Sequence, residues 1–174
     1  MRHDDAVFWA LLVVLASQRL VELVTTRRNL DALVREGAVA AKRDGFGYFV
    51  AIHAAMFVLL AAEWFWAPWS GLHAATPLFL GLFVLAGALR YWAAASLGRF
   101  YTVRVVRLPG AAPVATGPYR WMRHPIYRAL IVEVPAVPFA LGAWLTAAVL
   151  GAANLAALQY RIRKEEAHWR PGGA

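Results

Sequence analysis

The chain has no cysteine. Disulfides, a thiolate nucleophile and cysteine-based metal sites are therefore excluded, and the redox compartment is left open. No metal site is expected. Charge is scarce as well. Between Asp44 and Arg99 the only formally charged residues are Glu63 and Arg90, and between Arg128 and Arg161 there is only Glu133. Internal repeats, low-complexity linkers and a separate polar domain are all lacking. A soluble domain of 174 residues needs far more polar surface than this, so the composition reads as an integral membrane protein.

What is present fits that reading. Hydrophobic residues make up 61% of the chain, there are eight tryptophans, and the net charge is +8. A basic excess can mark a nucleic-acid binder. Here the cations cluster beside apolar runs, which is the pattern of a membrane protein's inner flanks, so lipid and not nucleic acid is the expected surround. The first apolar run follows MRHDD and ends without a small-residue cleavage site, so it reads as a retained span.

Five spans are expected in a single membrane-embedded domain over 1–174, with three spans in 1–97 and a loop, hairpin and tail in 98–174. The first covers roughly 6–25, the second 46–66 and the third about 74–97, each near the ~20 residues that a bilayer helix requires. The apolar stretch 129–160 is too long for one span. Leu141-Gly142 near its middle, after Pro135 and Pro138, predicts a helical hairpin with a short, Pro-kinked first arm. One broken helix is the alternative. The connections test this all-α layout. The segment 27–44 holds Arg27, Arg28, Arg35, Lys42 and Arg43, the segment 70–77 holds no Lys or Arg, and 99–128 holds six Arg and no acid. The hairpin turn is uncharged, and the tail carries Arg161, Arg163, Lys164 and Arg170 against Glu165 and Glu166. Cationic and uncharged connections alternate, which places the basic ones on the cytoplasmic side. Trp64, Phe65, Trp66 and Trp69 gather at the outer interface.

Five charges fall within or near the spans, where a carboxylate or guanidinium needs a partner or a polar cavity. Arg19 and Glu22 share a helix face. Glu63 is close enough to the outer interface to reach water. Arg90 either snorkels or faces inward. Glu133 is expected to face the interior toward an inward arginine such as Arg90. His53 and Asn154 read as interior polar residues, Asn154 bonding between helices.

A hairpin returns the chain to the side it entered, so GPYRWMRHPIY before it and RIRKEEAHW after it become neighbours. His124 precedes Pro125, which favours an extended backbone there and a helix start just beyond. Arginine and histidine donors beside an acidic pair suit a zwitterion, the cations taking its carboxylate and the carboxylates its ammonium. Taken singly, Arg120, Arg123 and Arg128 also look like any membrane flank, and Glu165-Glu166 like a solvated helix end.

GPYRWMRHPIY, a hairpin and then RIRKEE resembles the isoprenylcysteine carboxyl methyltransferase family of membrane methyltransferases, over roughly 97–169. The combination is specific, whereas either half alone is weak. VEVPAVPFALGAWLTAAVLGAANLAAL, with Glu133 and Asn154, is most similar to short bacterial members associated with polyketide synthases that make long-chain pyrones; QRLVEL and RRN look like their N-terminal region. The chain is much shorter than the eukaryotic prenylcysteine enzymes, and its first half does not match theirs. The resemblance implies S-adenosylmethionine as methyl donor, contacted by His124, Tyr127 and Glu165, with Tyr119 and Glu166 beside them. It implies a lipophilic acceptor entering from the bilayer: a carboxylate or enol, such as a long-chain pyrone or a prenylcysteine-like lipid. Such an acceptor is already anionic near neutrality, so Arg123 or Arg120 is expected to orient it, with Glu133 ordering the arginines. His124 either holds the donor or serves as a base. Two other classes remain open at this point. Sterol-reductase-type enzymes end in a similar R-H-P-x-Y hairpin but use NADPH, and a non-enzymatic membrane scaffold or transporter subunit would use the buried charges only for helix pairing.

Overall fold

The computed structural model describes residues 4–41 and 44–169. Lys42, Arg43 and Arg170, counted above among the basic flanks, lie outside the described residues. The fold is all-α apart from one two-residue strand pair. Helices α1 (Asp5–Arg35), α2 (Phe46–Trp66), α3 (Thr76–Leu97), α4 (Pro125–Ala140) and α5 (Trp144–Trp169) follow in order, with β1 (Val39–Ala40) and β2 (Val106–Arg107) in the long connections. Among the described residues, three helices are long and apolar enough to cross a membrane: α1, α2, and α3 with the short turn that extends it to Phe100. At 16 residues α4 reaches only about 24 Å, less than a ~30 Å hydrocarbon core.

Helix α1 runs about ten residues past the expected end of its span. Nothing in TTRRNLDALVR breaks a helix, and an Arg27–Asp31 pair at 3.7 Å lies one turn apart on its surface. The helix stops where Gly37 takes a positive φ of 91°. The hairpin turns at Leu141–Ala143 as expected, with Gly142 at φ 66°. A side chain there would also collide with the carbonyls of Trp69 and Gly71, about 3 Å from where its Cβ would sit. Helix α4 continues unbroken through Pro135 and Pro138.

The core lies between α2, α3, α4 and α5. Helices α3 and α4 form the most extensive helix pair, and each buries small residues: Ala86, Gly87 and Ala93 on α3, and Ala129, Ala136 and Ala140 on α4. Asn154 on α5 is fully buried and donates to the Leu130 carbonyl at 3.0 Å, the interhelical bond expected of it. Helix α1 joins through Phe8, which stacks on Trp64 with ring centroids 4.9 Å apart.

The two ends of the bundle differ in charge. At one end the uncharged connection after α2 covers the hairpin turn. Gly71 N donates to Leu141 O at 2.9 Å, Thr76 Oγ1 donates to Ala140 O at 2.7 Å, and His73 Nε2 sits 2.8 Å from Phe139 O. These contacts satisfy carbonyls that the end of α4 leaves open. Glu63 does not merely reach water. Its carboxylate accepts from the backbone N–H groups of Leu145 (3.0 Å) and Thr146 (2.7 Å), capping the positive end of α5. At the other end the two basic connections pair with each other through β1 and β2, antiparallel with Val39 opposite Arg107. Asp44 pins this junction, accepting from Arg104 Nε at 2.6 Å and from Val105 N at 3.1 Å. The ends of the helices are thus sorted as the alternation of loop charge predicts.

Candidate functional site

The hairpin brings the two motif segments together at the basic end. His124 is the residue before α4, with φ −132° and ψ 63°, and Pro125 occupies the first helical position. One turn on, Tyr127 stacks beneath the His124 ring with centroids 5.4 Å apart and planes 16° from parallel. From α5, Glu165 accepts the Tyr127 hydroxyl at 2.5 Å, and Glu166 lies 3.6 Å from His124 Nε2. That imidazole nitrogen is buried and makes no hydrogen bond among the described residues. Tyr119 stands nearby on the wall; burial and then the Glu165 charge push its hydroxyl well above the usual phenol range. The Tyr119 hydroxyl therefore remains a protonated donor.

Of the residues predicted from sequence, His124, Tyr127, Glu165, Glu166 and Tyr119 converge on one cavity of about 860 Å³, with Arg123 on its exposed rim. Arg120 does not join them. It sits in the short turn before Trp121, exposed and away from the cavity wall. Glu133 does not order Arg120 or Arg123 either. Its carboxylate is engaged by Arg90, through Nε at 2.6 Å and Nη2 at 3.0 Å, and by Arg19 Nη2 at 3.2 Å. Arg90 is 1% exposed and so does not snorkel. Glu22 completes the group, 2.6 Å from Arg19 and 3.6 Å from Arg90, and accepts the Tyr101 hydroxyl at 2.5 Å. Two arginines and two glutamates thus cancel in charge within the bundle, which is how buried ions become tolerable.

Sequence reasoning missed Arg161. It is buried, donates from Nε to the Tyr127 hydroxyl at 3.2 Å, and lies over the Phe49 ring at 5.8 Å. Its position one helical turn before Glu165 was the available signal, obscured because a cation at a span's end looks like an ordinary flank. Tyr101 and Asn29 were also missed. Asn29 Nδ2 donates to the carbonyls of Gly98 (3.2 Å) and Tyr101 (2.9 Å), fixing the start of the long connection against α1. Nothing local in sequence announces that contact.

The cavity lining mixes polar and apolar residues. Its basic end carries the His124–Glu165–Glu166 group, its flank is apolar through Phe49, Val50, Phe57 and Leu130, and its far wall includes His53, Arg19 and Glu22. Fold and site together describe an α-helical membrane protein with a largely apolar cavity that carries polar groups on its wall. Comparison with known proteins agrees. The model of the isoprenylcysteine carboxyl methyltransferase (ICMT) family matches residues 79–170. The chain is 30% identical over 169 residues to the uncharacterized protein YpbQ of Bacillus subtilis (strain 168), covering 91% of this chain and 94% of that one. No solved structure matches. This chain belongs to the isoprenylcysteine carboxyl methyltransferase family.

Proposed function

We propose that this protein is an integral-membrane O-methyltransferase that uses S-adenosylmethionine to methylate a lipophilic carboxylate or enol. The observation that carries the reading is the single cavity joining a zwitterion-binding group to an apolar flank. The residues present fit the donor. Glu165 and Glu166 would take its ammonium, Arg123 on the rim would take its carboxylate, and the free Nε2 of His124 offers a further polar contact. Tyr127 and Arg161 hold Glu165 in place by the chain of bonds from Arg161 Nε to the Tyr127 hydroxyl to Glu165 Oε2. When bound, the donor supplies an electrophilic methyl group on a sulfonium. The protein's share is to align the acceptor oxygen and to keep water out, for which apolar walls and fixed arginines suffice.

In this reading all five helices are embedded in the membrane as one domain, the hairpin incompletely spanning, and the basic end with the site faces the cytoplasm. A long-chain polyketide pyrone is the favoured acceptor, on the likeness of the hairpin sequence around Glu133 and Asn154 to the pyrone-associated branch; a prenylcysteine-like lipid is the other. Family membership argues against an NADPH-dependent reductase and against a purely structural role. The test is transfer itself. Purified protein incubated with methyl-labelled donor and bacterial lipid extract should yield a labelled lipid that the Glu165→Ala variant does not produce. Absence of any labelled lipid across extracts rich in hydroxypyrones, carboxylated lipids and prenylated thiols would overturn the reading.

A further inference from the structure

The cavity has a second polar end, some distance along the bundle from the His124–Glu165–Glu166 group. Here α1 contributes Arg19 and Glu22, α2 contributes His53, and the long connection contributes Tyr101. Most of these groups are spoken for. Glu22 holds Arg19 and Tyr101, while Glu133 holds Arg90 and Arg19. Two atoms are not: Arg19 Nε and His53 Nε2 are buried and have no hydrogen-bond partner among the described residues. An orphaned buried polar atom costs free energy unless a ligand or water meets it.

The character of the two orphans can be deduced. His53 Nδ1 lies 2.7 Å from the Phe49 carbonyl, which can only accept, so Nδ1 carries the hydrogen. In the neutral ring Nε2 is then a bare acceptor. Arg19 Nε is a donor and nothing else. Arg19 and His53 both line the same cavity. One lone donor and one lone acceptor on a cavity wall complement a hydroxyl, which gives its hydrogen to one and its lone pair to the other. A carboxylate, with no hydrogen to give, would leave Nε2 facing an anion. The apolar residues between this group and the basic end, such as Phe49 and Val50, would receive an attached hydrocarbon chain.

We propose that Arg19 and His53 form the head-group subsite for the methyl acceptor, and that this subsite selects a hydroxyl-bearing lipid, an enol or phenol-like group, over a carboxylate. This deepens the reading above and rests on it. Glu133 and Glu22 act as positioning residues, holding the Arg19 guanidinium by its Nη atoms and leaving Nε without a protein partner among the described residues.

The test uses the full chain in nanodiscs of neutral lipid and three probes with the same tail: para-dodecylphenol, its methyl ether and para-dodecylbenzoate. Binding of each is measured in wild type, His53→Phe and Arg19→Lys, with donor affinity and thermal unfolding recorded on the same samples. His53→Phe leaves the ion network intact, and Arg19→Lys keeps a cation beside Glu133 while deleting the Nε–H. Wild type should prefer the phenol to the other two probes by roughly tenfold, and each variant should lose that preference while donor affinity stays within about twofold. Benzoate bound more tightly than the phenol in wild type, or a phenol preference that survives both substitutions, overturns the subsite. Failure of the donor to bind wild type refutes the methyltransferase reading by a separate measurement, whatever the probes do.

Discussion

Two groups of charged residues occupy this protein, and they differ in how their valences are used. In the interior, Arg90 and Glu133 form a bidentate pair with side chains 1% and 2% exposed, and Arg19 and Glu22 complete the square. At the basic end, His124 and Glu166 stand 3.6 Å apart, beyond hydrogen-bond reach, Glu166 is 41% exposed, and the imidazole Nε2 has no partner among the described residues. The same side-chain chemistry therefore does different work. A saturated, buried set holds helices together, because its members have nothing left to offer a ligand. A loosely paired set lining a cavity is ready to bind. Arg19 belongs to both descriptions, saturated through Nη1 and Nη2 and open at Nε.

The comparison can be broken most forcefully in the interior. Glu133→Gln leaves Arg19 and the buried Arg90 to share Glu22 and should cost about 3–5 kcal/mol, read as a large fall in the unfolding midpoint in detergent. A midpoint near that of wild type would mean that the square is not a structural device. At the basic end, Glu165→Ala should cost less, on the order of 1 kcal/mol, because the Tyr127 hydroxyl loses its acceptor but keeps the bond from Arg161 Nε. Asn154→Leu removes one interhelical hydrogen bond and should cost on the order of 1 kcal/mol, with donor affinity retained.

A smaller effect is expected at the junction of the basic connections. Burial disfavours the Asp44 carboxylate, but Arg104 and the Val105 and Phe46 N–H groups outweigh it and hold its pKa below the usual aspartate value. Its stabilising contribution is thus complete above the ordinary value and is lost as pH falls through the lowered one. Asp44→Asn should flatten the acid limb of a stability profile and leave the neutral region with a modest uniform loss. The smallest effect belongs to Arg99→Ala. That side chain is 54% exposed and its pair with Glu36 is solvated, so unfolding should change by no more than roughly 0.5 kcal/mol.

Which parts were legible in the sequence follows from the same physics. A lone carboxylate in an apolar arm is so costly that Glu133 had to find an arginine, and of the two that the other spans supply, Arg90 and Arg19, it meets both. The hairpin was legible because Leu141-Gly142 interrupts a stretch too long for one helix. His124 and Glu165 were paired because a hairpin returns the chain to its starting side. By contrast, the extension of α1 to Arg35 was masked by its charges, which look like loop until one notes that no breaker intervenes before Gly37. Arg161 was masked by its place in a basic flank. The contact of Tyr101 with Glu22, and the placing of His53 and Arg19 on one wall, depend on which faces of α1 and α2 meet across the bundle. Helices apolar all round carry no amphipathic pattern to reveal that.

The most direct test of the account is calorimetric titration of the purified protein with S-adenosylmethionine, in wild type, Glu165→Ala and His124→Ala. A saturable isotherm in wild type, weakened by about tenfold or more in both variants while both remain folded, is the predicted result. Wild-type affinity in both variants, or no binding to wild type, would contradict the assignment of the His124–Glu165–Glu166 group as the donor site.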